Sequence, residues 1–255
     1  NAIRSNFPSL ISYISPNLSS KEYEATKAIE VLKEKSQVRL KTELHLAPSM
    51  RSFRAEKLSE FIYHLLNRDI SGAQRLHNTI SRKYPIVLTR DLSKAKDWLK
   101  KKARGSERYG LVVSSQAYRL KPLAIDVRSP MQPVNWFLNG KDDVRSSYYL
   151  EDVATEFHIQ GLELDWVCLI WDGDLRYSKD GWETHSFKGS KWQKIHKEER
   201  KRYLINAYRV LLTRARQGMI IVVPEGNLID HTRKPEYYDP TFKYLETVGV
   251  ELLNE

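Results

Sequence analysis

The chain has 255 residues, 41% hydrophobic and 29% charged, enough apolar material for a packed core and too much for a disordered tail. Its net charge of +10 favours a polyanionic partner, most often nucleic acid. The single cysteine, Cys168, excludes an intrachain disulfide framework and points to a reducing, cytoplasmic setting, and no apolar run reaches the length of a membrane span.

Asn1-Ala2 reads as a tag scar, so the chain is expected to be a piece of a longer protein. Residues 10–14 suit a short strand, and Ser19 or Ser20 can cap a helix running to about Lys35. Val38, Leu40, Leu44 and Leu46 keep the even spacing of a strand. Leu58, Phe61, Ile62 and Leu65 fall on one face of a helix over 55–66, and a second helix fits 72–81. Ile86–Thr89 and Gly110–Val113 are short strands on either side of a helix over 94–104, capped by Asp91 or Ser93. The stretch near 116–150 is Pro-rich and aperiodic, an irregular insertion, and 173–195 reads as a hairpin. Val167–Trp171 is an apolar strand, a long helix covers 197–216, and Met219–Val223 is a strand stopped by Pro224. A last helix fits 241–247 and a last strand 250–253. Short apolar strands alternating with amphipathic helices predict an α/β fold with a mostly parallel sheet.

The chemical motifs are sparse. Gly105 to Gly110 has the glycine spacing of a phosphate-binding loop, but Leu111-Val112 stand where Lys and Ser/Thr belong. Asp172 follows a buried strand as a magnesium-binding carboxylate would, yet a strand-end turn, Asp172-Gly173-Asp174, is the simpler reading. The seven histidines show no metal-ligand pairing, so no metal site is assigned. Glu199-Arg200-Lys201 with Asp165 leaves a metal-dependent nuclease as a minor alternative. Trp136, Phe137, Tyr148 and Tyr149 suit core packing better than base stacking.

Three segments at strand–helix junctions carry more weight because of their order. They are Leu46-Ala-Pro-Ser-Met-Arg51-Ser52-Phe53-Arg54, Ala154-Thr155-Glu156-Phe157-His158-Ile159-Gln160-Gly161-Leu162-Glu163-Leu164-Asp165, and Ala207 to Arg216 with its Leu212-Thr213-Arg214-Ala215 core. Together they resemble the second RecA-like domain of superfamily 1 helicases. They are most similar to the bacterial family described as Schlafen group 3-like DNA/RNA helicase, over most of the chain. The resemblance implies a RecA-like three-layer domain over 38–255, with 1–37 linking to an upstream RecA-like P-loop domain. It makes Arg214 the arginine finger and Arg51 a second γ-phosphate sensor, and it sets Gly161, Glu163 and Arg54 against the nucleotide. Thr155, Gln160 and His158 are left to contact DNA or RNA. ATP with Mg2+ would bind only in the intact protein, shared with the upstream domain. Phe157 stands where the family pattern of these helicases has His, and Pro48-Ser49-Met50 replaces Gln-Asn-Tyr before Arg51. A non-catalytic nucleic-acid-binding module of the same shape is the alternative.

Overall fold

The structure, a computed structural model, describes residues 11–14, 30, 38–41, 44 and 53–253. The chain divides into two compact units, Asn1–Ser52 and Phe53–Glu255. In the first, β1 (Ser12–Ile14) pairs in parallel with β2 (Val38–Leu40), Ser12 beside Val38 and Ile14 beside Leu40. Most of the helix expected over 19–35 lies outside the described residues.

The second unit runs α1 (Phe53–Leu66), α2 (Ile70–Ile80), β3 (Ile86–Thr89), α3 (Leu92–Lys102), β4 (Tyr109–Val113), α4 (Pro133–Leu138), β5 (Val153–Thr155), β6 (Leu164–Ile170), β7 (Leu175–Ser178), β8 (Gly181–Lys188), β9 (Lys191–Lys194), α5 (Glu198–Leu212), β10 (Ala215–Val222), α6 (Asp239–Val248) and β11 (Glu251–Leu252). Six strands form one parallel sheet in the order β11-β3-β10-β6-β4-β5. Parallel strands need crossovers, and crossovers cover both faces, so the central strands are apolar without alternation. Leu111, Val112 and Val113 are all buried, as is Val167 through Ile170.

One face of the sheet packs against α1, α2, α5 and α6, where Phe61, Leu76, Tyr208 and Leu245 meet Leu88, Leu169 and Ile221. On the other face, Trp98 and Leu99 of α3 and Leu120 and Leu150 of the 114–152 insertion meet Leu111, Cys168 and Ile220. Helices and insertion segments thus sandwich the sheet, consistent with a RecA-like three-layer fold. Burial pushes the Cys168 thiol well above its ordinary value, which leaves it unreactive.

Local chemistry sets the element ends. Asp91 caps α3, its carboxylate accepting from the amides of Ser93 and Lys94. The helix expected to reach Arg216 stops at Leu212. The Thr213 hydroxyl donates back to the Arg209 carbonyl at 2.9 Å, and β10 opens at Ala215, which pairs with Leu164. Arg214 therefore sits in a junction, not inside the helix. The insertion is pinned by Arg108, which donates to the carbonyls of Trp136 (3.1 Å) and Asn139 (2.9 Å) and lies over the Tyr148 ring. Trp136 and Tyr148 are buried in the core. The hairpin at 173–195 gains a third strand, so β7, β8 and β9 make a separate antiparallel sheet.

Two fully buried carboxylates close the carboxyl end of β6. Asp172 accepts from the Arg119 amide (2.8 Å) and the Tyr238 hydroxyl (3.0 Å). Asp174 accepts from the Tyr208 hydroxyl (2.6 Å) and the Leu175 amide (3.0 Å), while its Oδ2 is buried without a hydrogen-bond partner. This pair ties the insertion, the small sheet and α5 to the end of the central strand. Among the described residues no group of three acidic, His or Cys side chains stands close enough to hold a metal ion.

Burial, and after it the charge of Asp172, pushes the Asp174 carboxyl from 3.8 up to about 7. The folded chain then keeps a proton there that the unfolded chain releases above about pH 4. This stabilisation is fully present below the unfolded value and is lost as pH rises through about 7. His185 opposes it: burial and Arg176 depress its ring from 6.5 to about 4, so its contribution is present above 6.5 and lost as pH falls. Asp174→Asn keeps an acceptor for Tyr208 without the ionisable group. It should raise the melting temperature at pH 8 by about 3 °C or more, with a clearly smaller gain at pH 5. Parallel melting curves across pH 5–8 for the two proteins would refute the assignment.

Candidate nucleotide and nucleic-acid site

The candidate residues fall at opposite ends of the sheet, joined by one short crossover. At the amino edge, β6 and β10 lie side by side, and the Leu164 amide donates to the Arg214 carbonyl at 2.9 Å. That bond brings the Gly161–Glu163 segment and Arg214 together. The Arg214 guanidinium donates through Nε to the Val210 carbonyl (3.1 Å) and through Nη1 to the Leu162 carbonyl (3.5 Å). Its charge is thus held in place by main-chain oxygens of the helix it follows and of the loop opposite. Glu163 accepts from Arg216 Nε at 3.2 Å. Both side chains of that pair are partly solvated, so it contributes at most about 1 kcal/mol and opens readily. Sequence reasoning missed Arg216 as the partner of Glu163, because the residue opposite depends on the strand register.

Gly161 has φ +84°, in the left-handed region, while a Cβ added there meets open space. The backbone conformation is what calls for glycine at this position. Gly218 is the converse case: an added Cβ would come within 2.7 Å of the Pro85 carbonyl and 2.8 Å of the Trp166 ring.

At the carboxyl edge, β5 ends at Thr155 and the chain turns at once. The Thr155 carbonyl accepts from the amides of His158 and Ile159. His158 Nδ1 accepts from the Thr155 amide at 3.1 Å and lies 3.3 Å from its hydroxyl. Protonating Nδ1 would set two donors against each other, and burial further depresses the ring's pKa. His158 is therefore neutral and holds the turn closed. Thr155 is itself buried, whereas Gln160 is exposed. Glu156 is buried too, and accepts from the Ser115 amide (2.9 Å) and hydroxyl (2.7 Å) at the end of β4.

Arg51 lies outside the described residues, and Arg54 is placed only by its backbone, in the first turn of α1. Asp165 accepts from the Arg108 amide at the amino edge, while Glu199 opens α5. That helix runs about 21 Å toward the same edge at 1.5 Å per residue, so these two carboxylates are not brought together as a nuclease would need. Gly105 and Gly110 link a helix to a strand, the reverse of the strand–loop–helix order of a phosphate-binding loop. No helix among the described residues is long and apolar enough to cross a membrane.

Residues 16–225 match the family described as Schlafen group 3, DNA/RNA helicase domain, and the chain belongs to that family. No curated protein and no solved structure matches it.

The two glycines separate conformational strain from crowding. Gly161→Ala should cost about 1 kcal/mol through the left-handed backbone alone. Gly218→Ala should cost about 2–3 kcal/mol, because the neighbour that must yield is backbone. Denaturant unfolding of both variants tests this, and unchanged stability of Gly161→Ala would mean the Gly161 conformation carries no strain.

Proposed function

We propose that this helicase domain is the C-terminal RecA-like half of a superfamily 1 type motor, working on DNA or RNA in the cytoplasm. The observation that carries the reading is the β6–β10 register, which sets Glu163 and Arg214 on one edge of the sheet. In the intact protein an upstream P-loop domain supplies the phosphate loop and the carboxylate for Mg2+. This half closes over the bound ATP.

The residues present fit that half of a nucleotide site. Arg214 is a planar, permanently charged fork, suited to neutralising the charge spread over a transferring phosphoryl group. Its backbone is fixed by the ladder and its side chain by two carbonyls, so little ordering is needed when phosphate arrives. Glu163 accepts a ribose hydroxyl once the weak pair with Arg216 opens. Gly161 and Arg54 flank the nucleotide, and Arg51 is the second phosphate sensor. At the other edge, exposed Gln160 contacts the nucleic acid, with Thr155 and His158 holding the turn that presents it.

Arg214→Ala in the intact protein should leave ATP binding nearly unchanged and cut turnover on the order of 10³-fold or more. ATP hydrolysis, followed with and without single-stranded DNA or RNA, reads this directly. Turnover at the wild-type level would remove Arg214 from the chemistry and favour a module that binds nucleic acid without hydrolysing ATP.

A further inference from the structure

Two large rings stand side by side in solvent at the carboxyl edge. Phe157 is 57% exposed and Tyr203 53%, with centroids 6.1 Å apart and planes inclined by 32°. Rings of this size ordinarily go into the core, where each contributes a large apolar area. Phe157 cannot follow that rule, because its neighbours fix the turn. Glu156 is clamped to Ser115, the His158 ring accepts from the Thr155 amide, and Ile159 is buried in the core. The residue between these anchors is left pointing outward. Tyr203 is held as firmly, on a helix whose next residue, Leu204, is buried and whose Tyr208 hydroxyl bonds the buried Asp174.

The surroundings say what would cover the pair. Residues 188–202 hold seven Lys and Arg against two Glu, on the hairpin tip and the first turns of the helix that carries Tyr203, with Lys194 paired to Glu183 and Lys201 to Glu198. Lys188, Lys191, Lys197 and Arg200 are all exposed. A basic tract that leads directly into the helix carrying one of two paired exposed rings is complementary to a chain of phosphates with bases free to stack, and not to an apolar protein face. Gln160 lies in the same loop as Phe157 and adds a polar contact.

We infer that Phe157 and Tyr203 form a stacking platform for bases of a single-stranded nucleic acid, whose phosphates run along the basic tract from Lys188 to Arg200. The inference rests on the nucleic-acid motor reading above and gives that reading a specific grip. Stacking uses the π-face that every base has, so the platform tolerates sequence and rejects paired duplex.

The test measures binding of the full chain to fluorescein-labelled oligo-dT and oligo-rU, and to a single strand carrying 2-aminopurine, whose emission falls when it stacks. The Phe157→Ala/Tyr203→Ala double variant should bind about tenfold or more weakly and lose the quenching, with its salt dependence unchanged. Arg200→Gln should lower the slope of log affinity against log salt by about one. The conservative Phe157→Tyr/Tyr203→Phe exchange should bind as wild type, which separates a stacking role from damage to the fold. Strong wild-type binding that the double alanine variant matches would overturn the platform and leave the motor reading standing. Failure of the wild-type chain to bind either single strand would overturn that reading, and the platform with it.

Discussion

The pairing of β6 with β10 is the constraint on which the rest depends. These strands lie about fifty residues apart in sequence, and from Val167 and Met219 onward both are buried on each face. Their amides and carbonyls have no water to turn to, so the ladder has to form. Its register then decides which loops share an edge. Leu164 meets Ala215, Val167 meets Met219 and Ile170 meets Val222. A slip of one residue in β10 would turn Ile220 to the wrong layer and separate Glu163 from the arginines. The hydrophobic core thus positions the charged groups at the amino edge, although none of those groups contributes much to stability itself.

The carboxyl edge is held differently, by burying charge-capable groups and satisfying them. Asp172 and Asp174 are costly to place in a dry interior. Tyr208, Tyr238 and the Arg119 amide offset that cost, and each comes from a separate segment. The pair therefore acts as a clasp between the central strand, α5 and the loops beyond β10. Because α5 is pinned at Tyr208, it crosses the sheet as a rigid rod. Tyr203 lies near its start at one edge, and Arg214 follows its end at the other.

Much of this was legible in the sequence. The runs Ile86–Thr89, Gly110–Val113 and Met219–Val223 are apolar and bounded by Gly or Pro; the first two are strands of the parallel sheet within a residue, and the third ends within a residue of β10, which begins four residues earlier at Ala215. The three ordered motifs gave the family, and two of them lie together at the amino edge. The end of α5 was not legible. Leu211 to Ala215 continues a helical pattern without a glycine, and only the demand that Ala215 join the ladder stops the helix. Nor was the carboxyl edge. Asp172 and Asp174 look like turn residues by type, and nothing local says that two distant tyrosines, one on α5 and one in the turn before α6, will bond them. Phe157 was misleading in the opposite sense, because an apolar residue in a loop gives no sign that its neighbours will be anchored and it will not.

The crossover from Thr155 to Leu164 joins the two edges of the sheet on which the proposed contacts lie. Parallel strands are ordinarily joined through a dozen or more residues, usually with a helix between them. Here β5 and β6 flank β4, and the chain passes from the carboxyl end of one to the amino end of the other in the span 156–163. So short a path has no room for slack. It must turn sharply at once, which the Thr155–His158 bonds achieve, and drop Ile159 into the core to stay close to the sheet. It must then reverse at Gly161 with a positive φ before entering β6. In the proposed motor, the segment that carries Phe157 and Gln160 is thus joined to Glu163 by six residues of chain or fewer.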